Sequence, residues 1–122
     1  KSGRTRSIVE LVDLMPTLAE ICDINVPSTV QGKSLLPVLK DHSASVKEGA
    51  LSFHRGGISY RVNGWSYTRY KGGSEEFYDM QEDPEQFLNL ASQDNDKFIS
   101  KLKKMRSSFD KRIKDLGLKV KK

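Results

Sequence analysis

The sequence has little of the chemistry that a self-contained enzyme needs. Its 122 residues include one cysteine, Cys22, and two histidines, His42 and His54. One cysteine can form no disulfide within the chain, and no zinc-type cysteine spacing occurs. We expect Cys22 to be a buried thiol inside a helix, where cysteine behaves as a small hydrophobic residue.

Catalytic and metal-binding constellations are also lacking. Nucleophilic catalysis needs a serine, cysteine or threonine beside a base, but His42 falls in a polar linker and His54 at the end of a predicted strand. A hard-metal site needs converging carboxylates. The acidic cluster Asp79, Glu82, Asp83 and Glu85 has none of the known loop spacings. The sequence predicts a domain without catalytic residues and without a metal site.

Long apolar runs and a leader segment are absent too. No apolar run approaches the ~20 residues that span a bilayer, so we expect no membrane partner. The opening stretch KSGRTRSIVELV has no initiator methionine and no signal-peptide pattern. We therefore expect the chain to be a piece of a longer protein.

Positive charge is concentrated in one segment. The chain has a formal net charge of +5, and eleven lysines and arginines lie between Lys97 and Lys122 against only Asp110 and Asp115. The rest of the chain is therefore net acidic. We interpret the basic segment as a solvated helix face with a tail rather than a nucleic-acid site, because elements that read bases are missing.

The first part of the chain predicts a strand followed by a helix. Ser7–Val12 (SIVELV) is apolar and β-branched, which favours a short buried strand. Asp13 suits the N-cap of a helix to about Asp23, with Pro16 in its first turn. Three apolar residues of that helix would face inward: Leu14, Leu18 and Ile21. A proline- and glycine-containing loop then leads to a short helix capped by Ser34.

The middle and end of the chain predict a sheet covered by a helix. The stretches ALSFHR, GISYRV, WSYTRY and EFYDM favour three or four antiparallel strands, with Asn63-Gly64 as a type I′ hairpin turn. Asp94 or Asn95 would cap a long helix ending at Gly117. Apolar residues at spacings of three and four form its inward stripe: Phe98, Leu102, Met105, Phe109, Ile113 and Leu116. The predicted fold class is α+β: a small antiparallel sheet of three to four strands under a long C-terminal helix, preceded by a strand-helix segment.

Two stretches together resemble the sulfatases. VELVDLMPTLAEICDINVPSTVQGKSLLPVL is similar to the family's Asp-x-x-Pro-Thr-Leu helix, proline loop and Gly-Lys-Ser-Leu. YRVNGWSYTRYKGGSEEFYDMQEDPEQFLNLA is similar to its C-terminal signature. The pattern of Arg61, Tyr67-Thr68 and Tyr70 is most similar to the iduronate-2-sulfatase-like branch. The resemblance implies that Tyr78 and Leu90 pack and that Asp79 and Asp83 accept backbone hydrogen bonds in a turn.

The resemblance also implies what lies outside this chain. Sulfatases carry a Cys/Ser-x-Pro-x-Arg motif whose first residue becomes formylglycine, and they bind a divalent cation, usually calcium. Cys22 is followed by Asp-Ile-Asn and does not match. We therefore expect calcium and formylglycine in a missing N-terminal catalytic domain that acts on a sulfated carbohydrate. Residues 1–41 would pack on that domain, and residues 42–122 would be the C-terminal subdomain.

The resemblance implies further properties of the protein. The full-length enzyme would be exported to the periplasm, the cell exterior or the lysosome. The chain by itself would be inactive and would dimerise or exchange strands, because its apolar surface and strand edge would lose their cover.

His54 and Arg55 are the candidate substrate-binding residues. They end one strand just before Gly56-Gly57, whose freedom would allow a sharp turn and close approach to a ligand. A guanidinium can bind sulfate or carboxylate oxygens with two parallel hydrogen bonds. The resemblance places this loop near the mouth of the sulfatase pocket. Arg61 is interpreted as structural, with pairing to Asp79 or Glu76 as one possibility.

Two other functions fit parts of the sequence. The first is a free-standing basic module that binds polyanions through Trp65, Tyr67 and the basic helix, which would require exposed aromatic rings. The second is the C-terminal part of another hydrolase of the alkaline-phosphatase superfamily, since shared architecture does not determine the reaction.

Overall fold

The computed structural model describes residues 3–93 and 96–118 and contains two compact units, Lys1–Ala50 and Leu51–Lys122. The first unit contains a 3₁₀ turn, Leu11–Asp13, and two helices, α1 (Leu14–Ile21) and α2 (Leu36–Lys40). The second contains most of a four-stranded antiparallel sheet and a long helix. The division after residue 41, with residues 1–41 packed on a catalytic domain, stays a prediction.

The predicted strand Ser7–Val12 is wrong. Ser7–Glu10 belong to no regular element, and the chain turns into the 3₁₀ helix at Leu11. The reason is a local turn: the Glu10 N–H donates to Asp13 Oδ2 at 2.8 Å, and the Asp13 N–H donates to the Glu10 carbonyl at 3.0 Å. These bonds use backbone groups that a strand would offer to a neighbour.

Asp13 is the N-cap residue of α1, as predicted, but its side chain makes no capping hydrogen bond. Its carboxylate is fully buried and accepts hydrogen bonds from the Glu10 and Lys33 N–H groups and from Lys47 Nζ. Thr17 completes this cluster, since its hydroxyl donates to the Asp13 carbonyl at 2.6 Å and accepts from the Leu35 N–H at 2.8 Å. The Asp-x-x-Pro-Thr spacing therefore joins α1 to the segment before α2.

Helix α1 ends at Ile21, earlier than the predicted Asp23. Asp23 adopts a left-handed conformation with φ of 55°, and the Ile24 N–H donates to the Ala19 carbonyl, which closes a Schellman-type end. Cys22 lies at this end and is exposed, so the prediction of a buried thiol is wrong. Ser34 accepts from the Leu36 N–H at 3.2 Å, although Leu35 is the residue at the N-cap of α2.

The sheet has the strand order β1-β2-β3-β4, with β1 Gly49–His54, β2 Gly57–Val62, β3 Trp65–Tyr70 and β4 Glu75–Asp79. The prediction of a small antiparallel sheet is confirmed with four strands. The hairpin between β2 and β3 is also confirmed: Asn63 and Gly64 have φ values of 44° and 80°, both positive as a type I′ turn requires.

Helix α3 (Asp96–Asp115) covers the sheet. The predicted stripe is confirmed: Leu102, Met105, Phe109 and Ile113 are buried, while Phe98 and Leu116 are partly buried. Phe109 is completely buried and meets the rings of Tyr60 and Tyr67 edge-on. Gly117 ends the helix with φ of 66°. The predicted caps, Asp94 and Asn95, lie outside the described residues.

The stretch from β4 to α3 is held by three polar side chains. Asp79 accepts from Gln81 N–H, and Asp83 accepts from Phe87 and Leu88 N–H at 3.0 and 2.8 Å, as predicted. Asn89 accepts from Phe77 N–H and donates to the Glu75 carbonyl, so it fastens the following turn to β4. Tyr78 and Leu90 are buried, as the resemblance implied.

Candidate functional site

The two predicted substrate-binding residues lie at the turn between β1 and β2. His54 is the last residue of β1, Arg55 follows it in the turn, and both side chains are exposed. The His54 ring meets the Tyr70 ring edge-on, with 5.7 Å between ring centroids. Because the Arg55 side chain is exposed, it can contact a ligand. The Tyr70 ring limits the positions that the His54 ring can adopt.

The glycine pair after Arg55 has a different role from the one predicted. Neither Gly56 nor Gly57 adopts a positive φ, so the turn does not depend on their conformational freedom. Gly57 is instead required by packing, because a Cβ there would lie 2.4 Å from the Arg69 carbonyl oxygen. A Cβ at Gly56 would meet only ordinary contacts, with Tyr70 Cδ1 nearest at 3.7 Å.

A second turn lies beside the first at the same end of the sheet. The Lys71 N–H donates to the Gly56 carbonyl at 2.8 Å, so the residue after β3 is held against the β1–β2 turn. We call the resulting group His54, Arg55, Tyr70 and Lys71 the cationic edge. The sequence analysis missed Tyr70 and Lys71 as members of the group. The signal was the glycine pair after Lys71, which marks a turn at the same end of the meander as Gly56-Gly57.

Tyr70 contributes a neutral hydroxyl to the cationic edge. Its hydroxyl donates to Glu76 Oε2 at 3.0 Å, and this hydrogen bond, together with partial burial and the Glu76 charge, raises the pKa of Tyr70 above its ordinary value. Arg55 and Lys71 supply positive charge, and the group contains no nucleophile paired with a base. Its chemistry is suited to binding an anion rather than to catalysis.

Arg61 lies away from the cationic edge, near the other end of β2 and opposite Ser66. It is exposed, and Arg61 Nη2 lies 3.8 Å from Met80 Sδ. The suggested pairing with Asp79 or Glu76 is not observed. The Asp79 carboxylate accepts from Gln81 and Glu82 N–H groups, and Glu76 accepts from Tyr70.

A charged network behind the cationic edge fixes β3 and β4 to α3. Glu75 accepts hydrogen bonds from Tyr67 Oη and from Arg106 Nε, the latter at 2.9 Å. Arg69 donates to Tyr67 Oη at 2.9 Å and to Asp110 Oδ1 at 2.6 Å. Burial and the hydrogen bond to Glu75 raise the pKa of Tyr67 to about 12, so it remains a donor at physiological pH.

The same network lowers the pKa of Glu75. Burial by itself raises the pKa of this carboxyl, but hydrogen bonds from Arg106 and Tyr67 and the charges of both arginines outweigh it. Glu75 is therefore held as an anion beside Tyr67. The network makes the edge strand β4 a rigid support for the turn that carries Lys71.

The groups that would perform sulfate-ester hydrolysis do not fit this chain. Cys22 lies at the end of α1 and precedes Asp23-Ile24-Asn25, so it lacks the Pro and Arg that the formylglycine motif requires. In residues 3–93 and 96–118, no group of three or more His, Cys, Asp and Glu side chains could hold a metal ion.

A pocket of about 170 Å³ lies at the other end of the sheet. Its lining consists of Asp79, Glu82, Asp83, Leu88, Leu90, Lys97, Phe98 and Lys101. The volume is below that of ordinary ligand pockets. Asp79 pairs in register with Trp65, at the hairpin end of β3, so this pocket is separate from the cationic edge.

Comparison with known protein families gives one match, which covers residues 1–115. The matching family is described as N-sulphoglucosamine sulphohydrolase, C-terminal.

No helix among the described residues has the length and apolar character needed to cross a membrane.

Two curated proteins show the range of relatives. The chain is 29% identical to arylsulfatase K of Xenopus laevis over 121 residues, which covers 85% of this chain and 23% of that protein. It is 37% identical to the Delta 4,5-hexuronate-2-O-sulfatase of Bacteroides thetaiotaomicron over 90 residues, which covers 66% of this chain and 19% of that protein. The chain thus spans less than a quarter of either relative.

A solved structure shares the fold. It is of a protein in complex with its substrate D-glucosamine-2-N,6-O-disulfate, and it superposes with a TM-score of 0.76 at 21% identity, covering 86% of this chain and 24% of that one. At this identity the likeness concerns the fold, which agrees with the sheet and helix described above.

Proposed function

This chain belongs to the sulfatase family of N-sulphoglucosamine sulphohydrolase C-terminal domains, and from that premise we propose that it completes a larger enzyme that hydrolyses sulfate esters of sugars. The observation that carries the proposal is the family match over residues 1–115. The relatives named above are sulfatases, and one of them is named for a 2-O-sulfated hexuronate.

The first unit offers a surface for the rest of such an enzyme. Leu11, Leu14, Leu18 and Ile21 recur at spacings of three and four, and their side chains are 86%, 53%, 62% and 55% exposed. The prediction that Leu14, Leu18 and Ile21 face inward is therefore wrong for this chain. We define these four residues as the α1 apolar face. An exposed patch of large apolar side chains marks an interaction site. We propose that the catalytic part of the same polypeptide covers it, since this chain is under a quarter of its relatives' length.

The cationic edge is the proposed contact with substrate. Arg55 and Lys71 bring two positive charges to adjoining turns, and Gly57 and the Lys71 backbone fix how those turns meet. We propose that His54 and Arg55, assisted by Lys71, bind the anionic groups of a sulfated sugar at the wall of the catalytic pocket. The nucleophile, its formylglycine and the calcium ion are proposed to lie in the preceding part of the protein.

The finer placement within the sulfatases is also a proposal. The pattern of Arg61, Tyr67-Thr68 and Tyr70 supports the iduronate-2-sulfatase-like branch. Export of the full-length protein is proposed from the same family resemblance. A free-standing polyanion-binding module would present its aromatic rings to the ligand. The Tyr67 ring is buried instead, which favours a structural subdomain of a larger enzyme.

The experiment compares this chain with the longer protein that contains it. We expect the longer protein to carry Cys/Ser-x-Pro-x-Arg upstream and to release sulfate from a sulfated sugar in the presence of calcium. The chain alone, under the same conditions, should give no turnover above background, because it encodes neither a nucleophile nor a clamp for the transferring group. Turnover of an aryl sulfate by the chain alone would contradict the proposal. Hydrolysis of phosphate but not sulfate esters by the longer protein would favour a different branch of the superfamily.

A further inference from the structure

The outer side of α3 carries four exposed lysines that the proposed site does not use. Lys103, Lys104, Lys111 and Lys114 lie on the side of the helix opposite the buried stripe of Leu102, Met105, Phe109 and Ile113. We call these four residues the lysine face. Ser100 and Ser107 are also exposed on this side and offer hydroxyl donors. The lysine face is therefore a polar surface rich in donors and free of large apolar side chains.

The charge of the lysine face is not balanced by its surroundings. Among residues 3–93 and 96–118, none of the four ammonium groups takes part in an ion pair. The one aspartate in the middle of the helix, Asp110, binds Arg69 of β3 instead. The other two, Asp96 and Asp115, are the first and last residues of α3. Lys111 and Lys114 each lie one helical turn from an aspartate, but α3 as a whole carries eight lysines and arginines against three aspartates. The helix is therefore strongly net positive, which favours an anionic ligand.

The arrangement fits an extended polyanion. From Lys103 to Lys114 the helix rises roughly 16 Å, which is longer than a single sulfate group and suits a chain with repeated negative charges. Single-stranded nucleic acid would require exposed aromatic rings for base stacking, but of the two aromatic residues of α3, Phe109 is completely buried and Phe98 is partly buried in the core. The chemistry therefore matches a ligand that offers many anionic oxygens and no bases to stack.

We propose that the lysine face binds a sulfated polysaccharide chain in addition to the cationic edge, so that long substrates bind the enzyme at two places. This proposal rests on the proposed function, which makes sulfated sugars the substrate class. Contacts at a second place raise the affinity for long chains through effective concentration and leave the affinity for short ones unchanged. The lysine face would then determine preference for chain length rather than the rate of the chemical step.

The test uses the full-length enzyme with two matched double variants. The first is Lys104→Gln with Lys111→Gln, two lysines that lie two helical turns apart on the lysine face. The control is Lys33→Gln with Lys40→Gln, which removes the same charge from exposed positions of the first unit. All four side chains are exposed, so both variants should fold. The KM is measured for a long sulfated polysaccharide and for a sulfated disaccharide.

We expect the lysine-face variant to raise the KM for the long chain roughly fivefold and to leave the KM for the disaccharide within about twofold. The control should change neither value beyond about twofold. An equal rise in KM for both substrates would overturn the proposal, because the lysines would then affect folding or the site as a whole. No change in either KM would also overturn it, because the lysines would then have no role in binding.

A binding measurement separates this proposal from the proposed function. The full-length enzyme is eluted by salt from an immobilised sulfated polysaccharide, and the lysine-face variant should elute at lower salt than the control, with or without turnover. Absence of turnover on every sulfate ester would reject the proposed function, while the order of elution would still decide the role of the lysine face. Binding of duplex DNA and of anionic lipid vesicles is measured with the same variants. If the lysine-face variant lost affinity for either of them as much as for the sulfated polysaccharide, the assignment to a sulfated polysaccharide would be overturned.

Discussion

Lys47 Nζ lies 2.6 Å from Asp13 Oδ1, although 34 residues separate the two in sequence. Both side chains are shielded: 5% of Lys47 and none of Asp13 is exposed. Burial raises the pKa of the Asp13 carboxyl, but hydrogen bonds from Lys47 and from two backbone N–H groups outweigh it and leave the pKa lowered. The Asp13 carboxylate therefore remains ionised, and its contact with Lys47 joins α1 to the segment that leads into the sheet.

Lys47→Met is expected to destabilise the chain strongly, because it leaves the buried Asp13 carboxylate without its charged partner. Breaking such a pair costs about 3–5 kcal/mol. Urea unfolding checks this, with Lys40→Met as the control, since Lys40 is an exposed lysine of the same unit. Equal midpoints for the two variants would mean that the pair has no structural role.

Glu75 is expected to make the stability of the chain depend on acid pH. Its pKa is lowered from 4.5 in the folded state, so the folded protein holds the proton less tightly than the unfolded chain does. The contribution is therefore present above about pH 4.5 and is lost as pH falls through the folded-state pKa. Glu75→Gln should cost about 1.5–3 kcal/mol at neutral pH.

The pH dependence itself is measured by urea unfolding of the wild type and the variant between about pH 3 and pH 7. The difference in free energy of unfolding should shrink as the pH falls, because Glu75 of the wild type becomes protonated. Glu85→Gln, at an exposed position, serves as the control. A difference that is constant with pH would show that the charge of Glu75 is not what holds the network.

Gly57 and Gly56 are expected to differ sharply in their tolerance of alanine. In Gly57→Ala the new Cβ would lie 2.4 Å from the Arg69 carbonyl, which forces β2 and β3 apart and should cost about 1–3 kcal/mol. Gly56→Ala should change stability by less than about 0.5 kcal/mol. Thermal unfolding of both variants checks the difference, and equal melting temperatures would contradict the packing role of Gly57.

Much of the second unit was predictable because local patterns determine it. The Asn63-Gly64 turn, the stripe from Phe98 to Leu116 and the helix end at Gly117 each follow from residues close together in sequence. The first unit was predictable only in part: α1 and α2 were predicted from local sequence. The contacts of Asp13 with Lys33 and Lys47 were not, because they join residues far apart in sequence. The strand at Ser7–Val12 was wrongly predicted because Glu10 and Asp13 form a local turn there.

The candidate site was partly predictable for the same reason. His54 and Arg55 could be found because a glycine pair follows them on the chain. Lys71 could not be placed beside Arg55 without the strand order, since their proximity depends on the β1–β2 and β3–β4 turns lying at one end of the meander. The role of Gly57 depends on its register with Tyr70, which composition does not reveal.

The isolated chain is expected to associate with itself through the α1 apolar face. The predicted exchange of a Ser7–Val12 strand no longer applies, because this segment forms no strand. Leu11, Leu14 and Leu18 are nevertheless exposed. Burial of one such side chain is worth about 1.5–3 kcal/mol. Light scattering at high concentration should therefore give a mass above 13.8 kDa. The variant Leu14→Gln with Leu18→Gln should give the monomer mass, and a monomeric wild type would count against the assigned face.

The central claim is that Arg55 at the cationic edge recognises the charged sugar, and substitution in the full-length enzyme tests it most directly. KM is measured for a sulfated, carboxylate-bearing glycan and for a small aryl sulfate, in Arg55→Ala and in Arg61→Ala, an exposed arginine at the other end of β2. We expect Arg55→Ala to raise the KM for the glycan about tenfold, with little change for the aryl sulfate. Arg61→Ala should leave both within about twofold. Equal effects of Arg55→Ala on the two substrates, or none on either, would remove the cationic edge from the substrate site.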